Sequence, residues 1–314
     1  MDLSIIIVNW NSKAYLEKCL ASVYAKTHGL EFEVIVVDNA SFDGCEQMIV
    51  ERFPQVRFIQ SEVNLGFAAA NNLGFAHSSG RALLFLNPDT EVAGDALPVM
   101  FRVLERTSDA GVVGVRLLNS DGTVQTSCIQ RFPSILNQAI DTDLLRNAFP
   151  RWRLWGTWPL LEKQLGPVEV DVISGACMML RRKAFERVDL FTSDYFMYSE
   201  DVDLCFKLHK AGLKNYYVDD AVVVHHGGAS ASWQTHFSAV VMREGLSRFF
   251  ALRYGKAYAA AYRASVVLIS VARCLVLGAG MMLISSSEQR LRDALSRWAA
   301  VLRWSLGLNI AGAR

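Results

Sequence analysis

Residues 82–91, ALLFLNPDTE, constrain this chain more than any other stretch. Leu83, Leu84, Phe85 and Leu86 make an apolar run too short for a helix and dense enough for a strand buried on both faces. Asn87, Pro88 and Asp89 end it, because proline lacks the ladder donor and holds the residue before it extended. A carboxylate just beyond the carboxyl end of a central strand stands where open α/β sheets bind ligands, so Asp89 is the first candidate site residue. The plainer reading, Asp as the turn former of an ordinary strand end, fits these residues equally well.

The same pattern recurs upstream. Residues 3–8 read as a buried strand, and Asn9, Trp10, Asn11 and Ser12 end it and open a helix with Leu16, Leu20 and Val23 at helical spacing. Residues 32–37 repeat it, finishing in Asp38, Asn39, Ala40 and Ser41, with Asp43 and Gly44 before a helix to Phe53. A third strand, 56–60, runs into Asn64, Leu65, Gly66 and Phe67, then a small-residue helix holding Asn71 and Asn72 and ending near Gly80. Strands joined by helices of this length predict a parallel, doubly wound sheet. Residues 112–117 add a strand, with a turn at 119–122 returning through Val124. From 131 to 167 the periodicity lapses, and Trp152, Trp155 and Trp158 suggest either an aromatic-lined lid or packing over a sheet edge. Strands follow at 168–173 and 178–180. Ser199 reads as the N-cap of a helix running to Gly212, with Leu204 and Leu208 on its inner face. Two short strands, 215–218 and 221–224, lead to His225 and His226.

At 52% hydrophobic and a mean hydropathy of +0.20, the chain is apolar for a soluble protein, and the excess lies at its end. From residue 253 onward nine Arg or Lys face two acids, whereas the first 252 residues hold 23 bases and 29 acids. We therefore read an acidic body, 1–252, and a basic, apolar tail, 253–314, suited to an anionic membrane surface rather than to nucleic acid. Residues 264–284 carry a single charge, Arg273, and as a helix would be about 30 Å long, enough to span a bilayer. An arginine at the centre costs about 2.5–3.5 kcal/mol on the insertion scale. Leu291, Leu295, Trp298, Leu302 and Leu306, with Arg290, Arg292, Arg297 and Arg303, predict an interfacial helix. The alternative is a helical pair buried against the body or in a homodimer. Six cysteines without CxxC spacing fit reduced thiols in a cytosolic compartment, and the first ten residues lack the basic region of a signal peptide.

Acids now stand at three element ends: Asp38, Asp89 and the group Glu200, Asp201 and Asp203. Singly, each could be a turn former or a complement to a helix dipole. Together, with two adjacent histidines, they suggest a metal bridging carboxylates and a diphosphate. No GxGxxG follows the first strand and no GxxxxGK[ST] occurs, which argues against a dinucleotide-dependent dehydrogenase and a P-loop NTPase. Asn9 and Asp38 could hold a pyrimidine, the carboxylate accepting from a ring N–H.

Seven ordered segments, IIIVNWNS, VVDNASFDG, NLGFAAANN, LNPDT, SGACMMLRR, YSEDVDLCFKLHKAG and VVVHHGGAS, resemble those of family 2 glycosyltransferases of the GT-A fold. The similarity covers about residues 3–235 and is nearest to bacterial rhamnosyltransferase-like members that build cell-surface polysaccharide. It implies an α/β fold, a GT-A type doubly wound, mostly parallel sheet, with a C-terminal helical membrane-associating tail. It implies that Val8, Asn9, Asp38 and Asn39 hold the nucleobase end of a nucleotide-sugar donor, with Asn64, Gly66 and Asn71 completing that pocket. The family's DxD motif matches Asn87-Pro88-Asp89, with Asn in the first place, so more of the coordination of a divalent cation (Mg²⁺ or Mn²⁺) falls to Asp89. His225 matches a further metal ligand, ahead of His226. Asp201 matches the catalytic base, and the positive helix end is expected to keep its pKa low.

The implied reaction is inverting transfer, most simply of rhamnose from dTDP-rhamnose, to a hydroxyl of a glycan or polyprenyl-linked glycan. It would take place in the cytoplasm at the inner face of the cell membrane. Two rivals stay open: a nucleotide-sugar-binding membrane scaffold that lost catalysis through Asn87, and a sugar-nucleotide pyrophosphorylase, which NWNS after the first strand disfavours.

Overall fold

Ile5, Ile6 and Ile7 of Leu3–Asn9 (β1) are fully out of water, as β-branched residues in a strand covered on both faces should be. In the computed structural model, β1 lies between Phe32–Asn39 (β2) and Ala82–Leu86 (β4), with Arg57–Ser61 (β3) beyond β2, all parallel. The residues described are 1–140, 145, 148–149, 152, 154–156, 166–227, 236–283 and 288–308. Trp158, Gly228, Ala229, Ser230 and Ile284 lie outside them. Helices Lys13–Lys26 (α1) and Cys45–Arg52 (α2) carry the chain outward from β1 to β3, and Gly66–Ala76 (α3) brings it back across β1 to β4. That reversal makes a topological switch point between β1 and β4. The return is tight: a Cβ on Gly74 would meet Ile6 Cγ2 at 2.5 Å.

Beyond β4 the sheet becomes mixed. Thr90–Ala93 (β5), Ala96–Arg106 (α4) and Ala110–Leu118 (β6) follow, then Ile129–Gln130 (β7), Ile135–Ile140 (α5), Val168–Val170 (β8) and Val172–Ile173 (β9). Cys177–Arg181 (β10), Arg182–Arg187 (α6), Glu200–Lys210 (α7) and Lys214–His225 (β11) complete this part. The order is β3-β2-β1-β4-β10-β6-β11-β5, with β8 on β11. β10 runs antiparallel between β4 and β6, and β5 and β8 antiparallel to β11. The α/β fold with its parallel core is therefore present, with antiparallel insertions.

Five details depart from the sequence reading. β5 begins immediately after the Pro88 turn, and α4, whose Leu97, Met100 and Leu104 are fully buried, was passed over. The two short strands expected at 215–224 are one twelve-residue strand with a register shift between Val218 and Val222. The return through Val124 is a single bridge to Leu118. Ser199 has φ +72°, far from the extended conformation of an N-cap. Trp155 is 2% exposed and stacks on Trp152 at 6.0 Å, which favours packing over an open lid for that ring.

The chain forms two compact units, one of Met1–Phe132, Pro150–Phe196 and Glu200–Ser230, the other of Pro133–Phe149, Met197–Ser199 and Ala231–Arg314. Within the second, His236–Tyr254 (α8), Lys256–Leu283 (α9) and Glu288–Ser305 (α10) pack together. Arg273, which the sequence left costly at the centre of an apolar helix, lays its guanidinium 4.3 Å from the centre of the Trp298 ring on α10, and Arg243 stacks on the same ring at 4.7 Å. Arg263 donates from Nη2 to the Trp304 and Ser305 carbonyls, satisfying the end of α10. Of the expected apolar face of α10, Leu291, Leu295, Trp298 and Leu302 are half-buried, while Leu306 lies past the helix and is exposed. Lys256–Met281 is long and apolar enough to cross a membrane, and Leu268, Leu275 and Val276 on it are exposed.

Candidate active site

The carboxyl ends of β1, β2 and β3 form one rung, Asn9 opposite Asp38 opposite Gln60. Asp38 is fully buried, and its carboxylate accepts from Asn9 Nδ2 (2.8 Å), Gln60 Nε2 (2.9 Å), the Ser41 and Phe42 N–H groups (3.1 Å each) and the Ser41 hydroxyl. Burial pushes this carboxyl up, but the bonds from Ser41, Gln60, Asn9 and Phe42 outweigh it and hold the pKa below the ordinary value. Those bonds shape a turn in which Ala40 and Phe42 adopt φ +60° and +49°, conformations that L residues reach only at a cost. Asp43 completes the corner: its carboxylate accepts the Lys13 N–H at the start of α1 (2.9 Å), work expected of Ser12. Val8, one residue before Asn9, is half-buried.

Asp38, Asp43 and Cys45 also gather their ligand atoms within 4.8 Å, a spacing that could hold a metal. The middle of the group is filled, because Asn9 Nδ2 donates into it to Asp38, to both oxygens of Asp43 (3.4 and 3.3 Å) and to Cys45 Sγ (3.3 Å). Burial raises the Cys45 thiol, which keeps it protonated and a poor ligand. This cluster is a hydrogen-bonded corner.

Next along the edge, Asn39 ties β2 to the loop before α3. Its Nδ2 donates to Asn64 Oδ1 (2.9 Å) and the Gly66 carbonyl (3.2 Å), its Oδ1 accepts from Leu65 N (2.8 Å), and Asn64 Oδ1 also accepts from Gly66 N (2.9 Å). Gly66 is at φ +74°, and a Cβ there would lie 2.3 Å from the Phe196 carbonyl oxygen, so only glycine fits. Asn71 is buried and donates back to the Phe67 carbonyl at 2.9 Å.

Past β4, the pieces separated by 136 residues of sequence come together. Asp89 Oδ1 lies 3.2 Å from His225 Nε2, and Asn87 Nδ2 lies 3.4 Å from the same nitrogen. Asp89 is 7% exposed, and its carbonyl accepts the His226 N–H at 2.9 Å, so the end of β11 is pinned to the Pro88 turn. His226 turns elsewhere, with Nε2 2.8 Å from Glu91 Oε1 and Nδ1 2.8 Å from the Ser120 hydroxyl. The other ring nitrogen of His225 meets Gln125 Oε1 at 2.8 Å, a residue to which the sequence reading assigned no role.

Asp201 is the second residue of α7, its Oδ2 accepting from Gly175 N (2.9 Å) and its Oδ1 from Val202 N (2.8 Å). The turn of Ser174, Gly175 and Ala176 between β9 and β10 then reaches β4, because the Ala176 carbonyl accepts the Asn87 N–H at 2.9 Å. Asp201 and Asn87 are thus joined through one three-residue turn. Asp203 is fully buried and takes the Thr192 hydroxyl at 2.7 Å, a structural bond.

The expectation of a low pKa for Asp201 is overturned. Burial outweighs its two N–H bonds and raises it, while Glu200, 6% exposed and with no hydrogen-bond partner for Oε2 among the described residues, is pushed up to about 8 by burial and then by the Asp201 charge beside it. Two adjacent buried carboxyls favour a single shared charge, and the backbone donors place it on Asp201. The linkage has a definite sign. A raised carboxyl contributes stability that is whole below the unfolded pKa and lost as pH rises through the folded value. Thermal midpoints of the parent should therefore fall between about pH 4.5 and pH 8. Glu200→Gln, a neutral isostere of the protonated acid, should flatten that fall, and an unchanged slope would show that Glu200 is not the titrating group.

The architecture has clear counterparts. With a TM-score of 0.57 it matches the mannosyltransferase PcManGT of Pyrobaculum calidifontis in complex with GDP-Man and Mn²⁺, at 16% identity over 97% of this chain and 86% of that one. The same score relates it to GalNAc-T7 with UDP, GalNAc and Mn²⁺, at 17% identity over 80% of this chain, which spans 51% of that structure. A switch-point sheet of this shape, with carboxylates along its carboxyl edge, is the GT-A fold. The chain belongs to glycosyl transferase family 2, whose model matches residues 4–189, and the model of glycosyl transferase family group 2 matches 160–311. It is 33% identical over 237 residues to the N-acetylglucosaminyl-diphospho-decaprenol L-rhamnosyltransferase of Mycobacterium tuberculosis, covering 71% of this chain and 76% of that protein. It is 27% identical to the rhamnosyltransferase WbbL of Escherichia coli K12, over 71% of this chain and 82% of that one. Membership sets aside the pyrophosphorylase reading.

Proposed function

We propose that this glycosyltransferase moves rhamnose, with inversion, from dTDP-rhamnose to a hydroxyl of a polyprenyl-linked glycan during cell-surface polysaccharide synthesis. The observation that carries this reading is the turn linking Asp201 to Asn87, which makes the candidate base and the candidate diphosphate clamp one site. The names of the mycobacterial and Escherichia coli relatives support the sugar, and the diphospho-decaprenol in the mycobacterial name supports the lipid-linked acceptor.

In this reading the nucleobase of the donor lies against the corner built by Val8, Asn9, Asp38 and Asn39, with Asn64, Gly66 and Asn71 shaping the pocket beside it. Asp89 and His225 suit a divalent cation, since a carboxylate oxygen and an imidazole nitrogen already face each other at 3.2 Å with the Asn87 amide alongside. A cation there, Mg²⁺ or Mn²⁺, would offset the charge that grows on the departing diphosphate. Asp201 takes the proton of the acceptor hydroxyl on a free lone pair of its carboxylate. The acceptor oxygen forms its bond to the anomeric carbon as the bond from that carbon to the diphosphate oxygen breaks, and the electron pair leaves with the nucleoside diphosphate. A base raised by burial is better matched to neutral pH than an ordinary aspartate. The exposed Leu268, Leu275 and Val276 and the basic end of the chain are assigned to the inner face of the cell membrane, where such an acceptor would be held.

A panel of nucleotide sugars with Mn²⁺ tests the donor: dTDP-rhamnose should give the largest thermal shift and slow metal-dependent hydrolysis. Preference for another sugar would overturn the rhamnose assignment. Full-length protein should float with liposomes containing anionic lipid, and a chain ending near residue 255 should not; full-length protein left at the bottom of the gradient would sink the membrane assignment.

A further inference from the structure

We infer that Gln125 is a positioning residue that locks His225 in the Nδ1–H tautomer, so that the Nε2 lone pair points at Asp89 and needs a cation between them. The inference rests on the metal reading of Asp89 and His225 given above.

The argument begins with which end of the Gln125 amide faces the imidazole. Gln125 Nε2 lies 3.2 Å from the backbone carbonyl of His225 and 3.0 Å from Asn119 Oδ1. A carbonyl only accepts, so that end must be the NH₂ and the end facing His225 Nδ1 at 2.8 Å must be the oxygen. Oε1 also only accepts. Nδ1 therefore carries the proton, and in the neutral ring Nε2 is left with its lone pair.

That lone pair faces Asp89 Oδ1 at 3.2 Å, and two acceptors at this distance repel unless something positive stands with them. The Asn87 amide nitrogen, 3.4 Å from Nε2, supplies a weak donor from one side. A bound cation satisfies both atoms, and a ligating histidine whose other nitrogen is hydrogen-bonded is the usual arrangement around a protein metal.

Gln125 is held as a fixed support should be. Its own N–H donates to the Leu117 carbonyl at 2.8 Å and its carbonyl accepts from Cys128 N at 3.1 Å, so the backbone is pinned on both sides. Gly227, at φ +48°, leaves room for the amide, where a Cβ would come 3.2 Å from Nε2. One side chain thus clamps His225 by both its carbonyl and its ring.

The test uses the full chain with ring-¹⁵N histidine, observed by NMR without metal near pH 8, and Mn²⁺ titrated into the same samples. Parent His225 should show the Nδ1–H form. Gln125→Leu should shift it toward Nε2–H, which can donate directly to Asp89, and should weaken Mn²⁺ binding by about 10- to 100-fold. Gln125→Glu keeps an acceptor facing Nδ1 while giving up the donor to the His225 carbonyl and Asn119 Oδ1, so it should retain the tautomer and bind Mn²⁺ more tightly than Gln125→Leu, which separates the role from a loss of folding. An Nε2–H ring in the parent overturns the inference whatever the metal does. Mn²⁺ binding weakened by Asp89→Asn but untouched by Gln125→Leu overturns it while sparing the metal reading, and a parent that binds no Mn²⁺ sinks both.

Discussion

Asp201→Asn is expected to fold, to bind nucleotide sugar about as well as the parent, and to lose about 10²- to 10⁴-fold in transfer rate, the usual worth of a positioned base. The amide is the same size as the carboxylate, and its oxygen can still accept one of the two N–H bonds from Gly175 and Val202. What it cannot do is take the acceptor proton. The comparison that matters is kcat beside donor Kd for Asp201→Asn and Glu200→Gln. Glu200, neutral in the pair, should cost less when replaced. Should Glu200→Gln be the dead variant while Asp201→Asn turns over normally, the base is the earlier residue; should neither matter, these acids only shape the start of α7.

Asp89→Ala should abolish metal-dependent donor binding, since Asn87 offers only a neutral amide in its place. Asn87→Asp should preserve or tighten metal binding, because it adds a second carboxylate beside His225 Nε2. Calorimetric titration of Mn²⁺, and then of donor in its presence, reads both. Ordinary turnover and metal dependence in Asp89→Ala would place the clamp elsewhere.

Much of the fold was legible in the sequence, for a reason that can be located. β1, β2 and β4 are short apolar runs stopped by Asn or Asp, and such stops mark the carboxyl edge at which open α/β sheets generally bind ligands. The convergence of Asp89 with His225 followed only from family resemblance, because no local pattern links β4 to the end of β11. Gln125 was invisible for the same reason: it belongs to no motif and acquires its role when the return from the 119–122 turn meets that strand end. β5 escaped notice because a four-residue strand after proline looks like loop until β11 pairs with it. The pKa of Asp201 was misjudged because helix polarity can be read from sequence order, whereas burial cannot. Likewise Arg273 looked expensive until Trp298 supplied a ring for its guanidinium.

The turn of Ser174 to Ala176 holds Asp201 by one amide and Asn87 by the next carbonyl. Three residues leave little slack, so under the proposed roles a shift at Asp201 on the acceptor side would be carried to Asn87 on the donor side. Choice of donor and choice of acceptor would then drift together in this scaffold. Grafting a new acceptor preference onto it would require reselecting the donor in the same step, and libraries randomised at only one side should return mostly inactive chains.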